Sequence, residues 1–452
     1  MTHAIRQLLF RAFRFFSRGY AAFGQAAGHE TVWRNPDLLK LVAADVISEF
    51  GSQVTYFALL KKVYEGSGGN VVDLGFLTIV QALPFILFGL FGGVVADRVA
   101  RRRILMVTDI GNGLLTILFI FVDGMAWVYA ITFLAFVLNA FRMPAQRAFE
   151  PNLVANDEIA ALNSFRSFIG STISIVGCLV AASIVVFSGL TASFLFDAAT
   201  FFISATFIGM ISQCRDQVQQ NVRASSAATA LRRFSNDITD GFQLIRVNTS
   251  LQLLLLLELA ISLLYGTHGT LIYLYLRKIL NLGAQTELVW GSISSGMGIG
   301  AVVGSIAIGT AMKQSPNRFK LFLLLMLFDS FVMALFSISS SVPVLLFVSL
   351  FHGIICAGPI IVLTTILQEL VDNNNRGKVS AFIGIIDKPM LMLSILLGTY
   401  GCQLLTAKGT LMAFTLVQFA TVLMILGSSL YRQASCRREE NFSVDDIQLE
   451  KK

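Results

Sequence analysis

Apolar residues in this chain come in continuous runs of about 20, separated by short polar connectors. A run of that length crosses the hydrocarbon core of a bilayer as an α-helix, whereas the strands of a membrane barrel alternate with period two. The runs predict membrane helices at about 38–60, 73–96, 104–122, 126–146, 162–187 and 190–212. A second set is predicted at about 251–275, 288–312, 320–340, 343–369, 378–405 and 409–431. Asp123-Gly124 and Ser339-Ser340-Ser341 supply the turns that divide the 104–146 and 320–369 stretches. The expected fold class is an all-α membrane protein with twelve transmembrane helices in two six-helix pseudo-repeats, 38–212 and 251–431. The polar stretch 213–250 joins them and is too short for a folded domain; it is read as a cytoplasmic linker with an amphipathic helix near 227–247.

Composition agrees with lipid as the main solvent. The 452 residues are 55% hydrophobic and only 13% charged, about half the charged fraction of a soluble domain. The net charge of +7 is read as a topology signal, not as a nucleic-acid surface, because orientation follows Lys and Arg in short loops. With the N-terminus inside, 28 of the 34 basic residues fall in segments assigned to the cytoplasm and five fall outside. Lys388 is left within a predicted helix. Both termini are therefore expected inside, in a multi-pass protein of a bacterial inner membrane. Residues 1–37 precede the first span, and 432–452 form a tail. At 3–24, Arg6, Arg11, Arg14 and Arg18 interleave with Leu8, Leu9, Phe10, Phe13, Phe15 and Phe16. That pattern suits an amphipathic segment on anionic membrane lipids, the alternative being a disordered basic tail. No cleavable signal peptide is expected, the first span serving as the insertion signal.

Cys178, Cys214, Cys356, Cys402 and Cys436 form no CxxC pair, and no histidine is read as accompanying them. Neither a disulfide framework nor a metal site is expected. No nucleophile–base pair or phosphate loop appears, so neither an enzyme nor a cofactor is expected.

After the second span the chain reads Gly92-Gly93-Val94-Val95-Ala96-Asp97-Arg98-Val99-Ala100-Arg101-Arg102-Arg103. Gly93 allows close helix approach, Asp97 can accept hydrogen bonds from a neighbouring helix end, and the basic cluster fixes the loop inside. This resembles the signature loop of the major facilitator superfamily, with Ala100 where a second glycine is usual. The eighth span carries Gly291, Gly296, Gly298, Gly300, Gly304 and Gly309, followed by Lys313, Arg318 and Lys320, a weaker echo without the acidic residue. The stretch Phe141-Arg142-Met143-Pro144-Ala145-Gln146-Arg147-Ala148-Phe149-Glu150-Pro151 and the string Phe196-Asp197-Ala198-Ala199-Thr200 extend the match. So do Ser48-Glu49-Phe50-Gly51-Ser52-Gln53, Gln81-Ala82-Leu83-Pro84 and Arg376-Gly377-Lys378-Val379. Over about 36–430 the chain resembles the drug:proton antiporter branch that holds macrolide-efflux proteins and the enterobactin exporter. It departs at Gly177-Cys178, where such exporters usually have Gly-Pro. The resemblance implies a latch of Gly93, Asp97, Arg98 and Arg101–Arg103 (Arg101, Arg102, Arg103), and Arg142 is grouped with these gating residues; Asp109 lies near the loop and is expected to pair with its arginines. Asp197 is implied as structural or gating, and spans 1, 4, 7 and 10 as the cavity lining.

Ionisable groups inside a membrane normally face a cavity or a partner. Asp45, Glu49 and Gln53 are spaced i, i+4, i+8 and so share one helix face. Two carboxylates about 6 Å apart repel in a poorly hydrated cleft, so the pair can hold a proton and exchange it for a cationic substrate. The alternative is that Asp45 only pairs with Arg142. The seventh span offers Glu258, Tyr265 and His268, and the tenth offers His352. Asp387 and Lys388 are adjacent and are expected to point to different sides with different partners, next to a hinge at Pro389. Asp329 is read as structural.

The function expected is a proton-coupled exporter of a small amphiphilic molecule, drug-like or siderophore-like, working by alternating access as a monomer. A lysophospholipid or lipid flippase on the same fold is the alternative. Ala58-Leu59-Leu60-Lys61-Lys62 and Leu367-Gln368-Glu369 resemble bacterial lysophospholipid transporters, and Lys61, Lys62 and Lys388 would meet phosphate headgroups. A non-transporting membrane receptor is a third reading, disfavoured by the lack of a sizeable soluble domain. The expected partners are the substrate, protons and membrane lipids, with no nucleic acid.

Overall fold

The computed structural model describes residues 35–154, 158–212, 227–315 and 317–434. The predicted segment at 3–24, residues 213–226 of the linker and the tail from 435 lie outside the described residues. Among the described residues every regular element is helical. They fall into two compact units, one of residues up to 66 with 80–225, the other of 67–79 with 226 onward.

The first unit contains α1 (Pro36–Gly66), most of α2 (Val71–Arg98), α3 (Arg101–Leu118), α4 (Met125–Phe149), α5 (Ile159–Thr172) and α6 (Cys178–Gly209). Asn35 starts α1 by accepting from the amides of Asp37 (3.1 Å) and Leu38 (3.4 Å), which satisfies two of the orphan donors of a helix start. A five-residue π-helical segment, Ile173–Gly177, joins α5 to α6. A core of this unit gathers Leu38 and Leu41 of α1, Leu105 of α3, Phe149 of α4 and Ile208 of α6. Pro144 in α4 has no N–H to give Ala140, four residues back. α2 approaches that region of α4 closely, because a side chain at Gly92 would collide with the Ala140 carbonyl. The close-approach glycine is thus Gly92, since open space surrounds Gly93.

The second unit contains α7 (Ala227–Val247), α8 (Thr249–Tyr265), α9 (His268–Leu274), α10 (Thr286–Gln314), α11 (Arg318–Ile338), α12 (Val342–Leu370) and α13 (Asn373–Gly427). Asn248 and Asn317 cap α8 and α11 through their side-chain oxygens. The polar linker helix α7 docks on α13. Lys378 Nζ reaches Asp240 Oδ2 at 2.8 Å, and the rings of Phe242 and Phe382 lie 5.5 Å apart. Side chains at Gly300 and Gly304 of α10 would strike the backbone of α12 at Leu350–Ile354, so the small-residue spacing serves close backbone contact.

The seventh predicted span is not continuous. The helix stops at Tyr265 and restarts at His268. A Cβ on Gly266 would sit 2.8 Å from Ser394 Cβ and 2.9 Å from the Leu391 carbonyl, so the break lets this backbone lie directly on α13.

Eight described segments are long and apolar enough to cross a membrane. Ile169–Gly209 has 41 residues and Asn375–Gly427 has 53, about 60 and 80 Å of helix against a hydrocarbon core of about 30 Å. Each bends at one residue of positive φ, Gly189 (φ 78°) and Thr406 (φ 68°). The outward faces are apolar: Ile306, Ile360 and Met424 are all more than 60% exposed, a pattern that suits lipid and not water. The more polar α1 and α3 are not among the eight; they carry Asp45 and Glu49, and Arg101–Arg103 and Asp109.

Candidate functional site

In the first unit, helix pitch brings Asp45, Glu49 and Gln53 onto one wall of a cavity of about 1090 Å³. That is at the upper end of small-molecule sites. Arg142 and Gln146, one turn apart on α4, line the same cavity and contact Asp45 directly. Arg142 lies at the centre of a hydrogen-bonded network. Its Nη2 donates to Asp45 Oδ1 (2.9 Å), its Nε to Asp109 Oδ1 (2.7 Å) and its Nη1 to Gln146 Oε1 (2.6 Å). Gln146 Nε2 donates to the second oxygen of Asp45 at 2.5 Å, and Ser204 Oγ of α6 donates to the second oxygen of Asp109 at 2.6 Å. The Asp109 side chain is fully buried, while those of Asp45 and Arg142 keep 20% and 15% exposure. Two carboxylates share one guanidinium, so with both ionised the network carries one net negative charge.

The wall also holds Phe85, Phe136 and Phe201, and the ion pair of Arg166 with Glu150 stands at the same cavity. Gln53 lies 3.9 Å from Cys178 Sγ, which opens α6 just past the π-helical segment. Glu49 is exposed on the wall. Asp197 is elsewhere on α6: it is buried against Gly51 and accepts from Thr55 (2.5 Å) and Thr200 (3.1 Å).

The basic loop behaves differently from its sequence reading. Asp109 does not pair with Arg101–Arg103; its partners are Arg142 and Ser204. The reason is depth, because eight residues of helix carry Asp109 about 12 Å from Arg101. Arg101 donates to the Ala148 carbonyl of α4 (2.9 Å), and Arg102 to the carbonyls of Ile208 (3.0 Å) and Gly209 of α6. These guanidiniums cap helix C-termini, where the macrodipole favours cations. Asp97, Arg98 and Arg103 are exposed.

In the second unit the break at Gly266 divides the predicted seventh-span set. Glu258, half-buried on α8, has Asp387 and Lys388 as its charged neighbours. Ser262, one turn on, donates to Asp387. Asp387 thus has a partner on another helix, but Lys388 turns back to Asp387 itself, their charged ends meeting at 3.1 Å. The flexible lysine stem folds back along the helix, which the backbone directions alone do not reveal. Tyr265 and His268 belong to a different, deeply buried cluster around Asp329 of α11. His352 Nδ1 lies 2.7 Å from Asp329 Oδ1, while Tyr265 and Gln418 both donate to Asp329 Oδ2, Gln418 at 3.0 Å. The His268 ring lies 4.8 Å from that of Tyr265 and 5.9 Å from that of His352. Cys356 Sγ lies 3.2 Å from His352 Nε2, so a histidine does accompany a cysteine. The i, i+4 spacing of His352 and Cys356 was the available signal. The same spacing marks Arg142 and Gln146. Asp329 and Gln418 carried only the signal of being polar groups in apolar runs.

The Major Facilitator Superfamily sequence profile matches residues 41–388. The chain is 24% identical over 209 residues to an uncharacterised transporter of this type, YfiS of Bacillus subtilis (strain 168), covering 46% of this chain and 49% of the relative. It is 24% identical over 269 residues to macrolide efflux protein A of Streptococcus pyogenes, covering 58% and 64%. The chain thus spans about half to two thirds of the length of these curated relatives. Among solved structures, the nucleoside transporter NupG superimposes with a TM-score of 0.68 at 11% identity, over 86% of this chain and 98% of that one. The helical architecture, the apolar outer surface and the profile match together place the chain in the Major Facilitator Superfamily of membrane transporters.

Proposed function

We propose that the chain is a secondary active transporter that exports a small amphiphilic molecule in exchange for protons. The observation that carries this reading is the wall of the α1–α4 cavity, where Asp45, Glu49 and Arg142 stand beside Phe85, Phe136 and Phe201. Such a wall suits a ligand with an apolar body and a charged end. Charges in a membrane normally mark a ligand or proton pathway. The network of Asp45, Asp109 and Arg142 has one more acid than base, so a proton and a cationic ligand compete for the same charge. That competition is the elementary requirement of antiport. Direction is supported by the similarity to macrolide efflux protein A.

In this reading the chain crosses a bacterial cytoplasmic membrane twelve times, with both termini inside. The bends at Gly189 and Thr406 support counting the two long apolar segments as two crossings each. The halves 38–212 and 251–431 rock in alternating access, with Asp97 and the arginine loop as the cytoplasmic latch and Glu258, Asp387 and Lys388 as the second unit's charged counterpart. The lipid-flippase alternative needs uncommitted ammonium groups. Of the three lysines that reading assigns, Lys62 is 3.7 Å from Asp123 and Lys388 is 3.1 Å from Asp387, so two of the three are already committed to acids.

The test is accumulation of a cationic amphiphile, ethidium or a macrolide, in inverted vesicles under an imposed pH gradient. Accumulation should collapse with a protonophore and be lost in Glu49→Gln. Gradient-driven accumulation that persists in Asp45→Asn, Glu49→Gln and Glu258→Gln would remove the roles assigned to these acids.

A further inference from the structure

We infer that the α1–α4 cavity takes a zwitterionic amphiphile, with an ammonium and an acid group at opposite ends of an apolar body. Glu49 meets the cation and Arg147 meets the anion. This names the substrate class within the proposed function and rests on that reading of the cavity as the ligand site.

The first support is the pairing of the cavity's charges. Six charged side chains line it: Asp45, Glu49, Arg142, Arg147, Glu150 and Arg166. Asp45 is paired with Arg142, and Glu150 with Arg166. Glu49 and Arg147 are both exposed on the wall, and among the described residues neither makes an ion pair or a side-chain hydrogen bond. The two uncommitted charges are therefore of opposite sign. A monocation filling the cavity would satisfy Glu49 and leave Arg147 to lose its water without a partner. A ligand with one charge of each sign satisfies both.

The second support is position. α1 and α4 run antiparallel. The start of α1 packs with the end of α4 through Leu38, Leu41 and Phe149, and Lys62 near the end of α1 lies 3.7 Å from Asp123, just before α4. Asp45 sets the register, because it is bonded to both Arg142 and Gln146. Glu49 stands one turn from that level towards Lys62, and Arg147 stands one residue past Gln146 towards Phe149. At the rise of an α-helix the two levels are about 10 Å apart. The remaining charges share this polarity. Around Glu49, the carboxylates of Asp45 and Asp109 share the guanidinium of Arg142, so that end is acidic. Around Arg147, Glu150 is matched by Arg166, so Arg147 leaves that end basic.

The third support is the wall between. Phe136, Asn139, Met143, Arg147 and Glu150 recur at three- and four-residue spacing on α4, and all line the cavity. Arg147 thus belongs to the inward stripe, and Phe136 and Met143 on the same stripe give the apolar body its contact. A guanidinium suits an acid group well, since it can offer two parallel N–H donors.

The test uses norfloxacin, whose carboxylate and piperazine ammonium lie at opposite ends of a flat ring system, with two congeners. The ethyl ester lacks the anion, and the N-acetyl derivative lacks the cation. Binding to the purified full-length chain in detergent at neutral pH is read from the fluorescence anisotropy of the quinolone. The native chain should bind norfloxacin at least about tenfold more tightly than either congener. Arg147→Gln should erase the advantage over the ester and keep the advantage over the N-acetyl derivative. Glu49→Gln should do the reverse, whereas a misfolded variant would lose both. An ester that binds the native chain as tightly as norfloxacin, or an advantage over the ester that survives in Arg147→Gln, would overturn the zwitterion assignment and leave the cavity a cation site. An advantage over the N-acetyl derivative that survives in Glu49→Gln would overturn the place of Glu49. Binding of none of the three would overturn the assignment as well, and proton-driven ethidium accumulation in vesicles then decides separately whether the transport reading stands.

Discussion

Arg142→Met removes the guanidinium that three helices share while keeping most of the side-chain volume. Asp109 is fully buried and would keep only Ser204 as a donor. Asp45 would keep Gln146 and has some access to the cavity. Breaking a buried ion pair from one side costs about 3–5 kcal/mol, because an uncompensated charge remains. Most of that loss falls on Asp109, since the partial exposure of Asp45 screens its share. Asp109→Asn alone leaves Arg142 paired with Asp45 and Gln146 and should cost less, about 1–3 kcal/mol. In the double variant Asp109→Asn with Arg142→Met no buried charge is stranded at position 109. Its loss should fall short of the sum of the single losses by about 1–3 kcal/mol. The assay is unfolding of the purified chain in mixed micelles by a denaturing detergent, on all four corners of the cycle. Single losses that add to within about 0.5 kcal/mol would refute the network as described.

Other outcomes follow from the helix contacts. Gly304→Leu must push α10 off the Ile354 backbone and should lower stability by at least about 1–3 kcal/mol, whereas Gly309→Leu, with open space around it, should be nearly neutral. Equal melting temperatures for the two would contradict close α10–α12 contact. Arg102→Ala removes the guanidinium that caps α6 and should cost about 1.5–3 kcal/mol, while exposed Arg103→Ala should stay within about 0.5 kcal/mol. Indistinguishable thermal melts of these two variants would show that the arginine loop serves orientation alone.

The sequence made some of this legible for a simple reason: helix pitch is local. The i, i+4, i+8 spacing puts Asp45, Glu49 and Gln53 on one wall whatever the neighbours do. The same spacing would have joined Arg142 to Gln146 and His352 to Cys356. Partners between helices are set by depth and tilt, which no spacing encodes. That is why proximity in sequence points Asp109 to the arginine loop while the fold pairs it with Arg142. Likewise the break at Gly266 arises from the approach of α13, and only that contact separates Glu258 from Tyr265 and His268. Gly92 and Gly93 are equivalent as letters, and only the position of Ala140 distinguishes them.

Transport through this unit requires the α1–α4 cavity to be filled with water and open to a ligand. Ser174 and Val176 lie two residues apart in the π-helical segment, and both are exposed. Ser174 lines the cavity, and Val176 is not among its lining residues. In a chain whose native cysteines are replaced by serine, Ser174→Cys and Val176→Cys can be labelled in membranes with a charged, impermeant thiol reagent. The Ser174→Cys thiol should react many times faster than the Val176→Cys thiol, and a transported cation should protect it. Equal rates at the two positions, or no reaction at 174 from either side of the membrane, would contradict the cavity as the binding site.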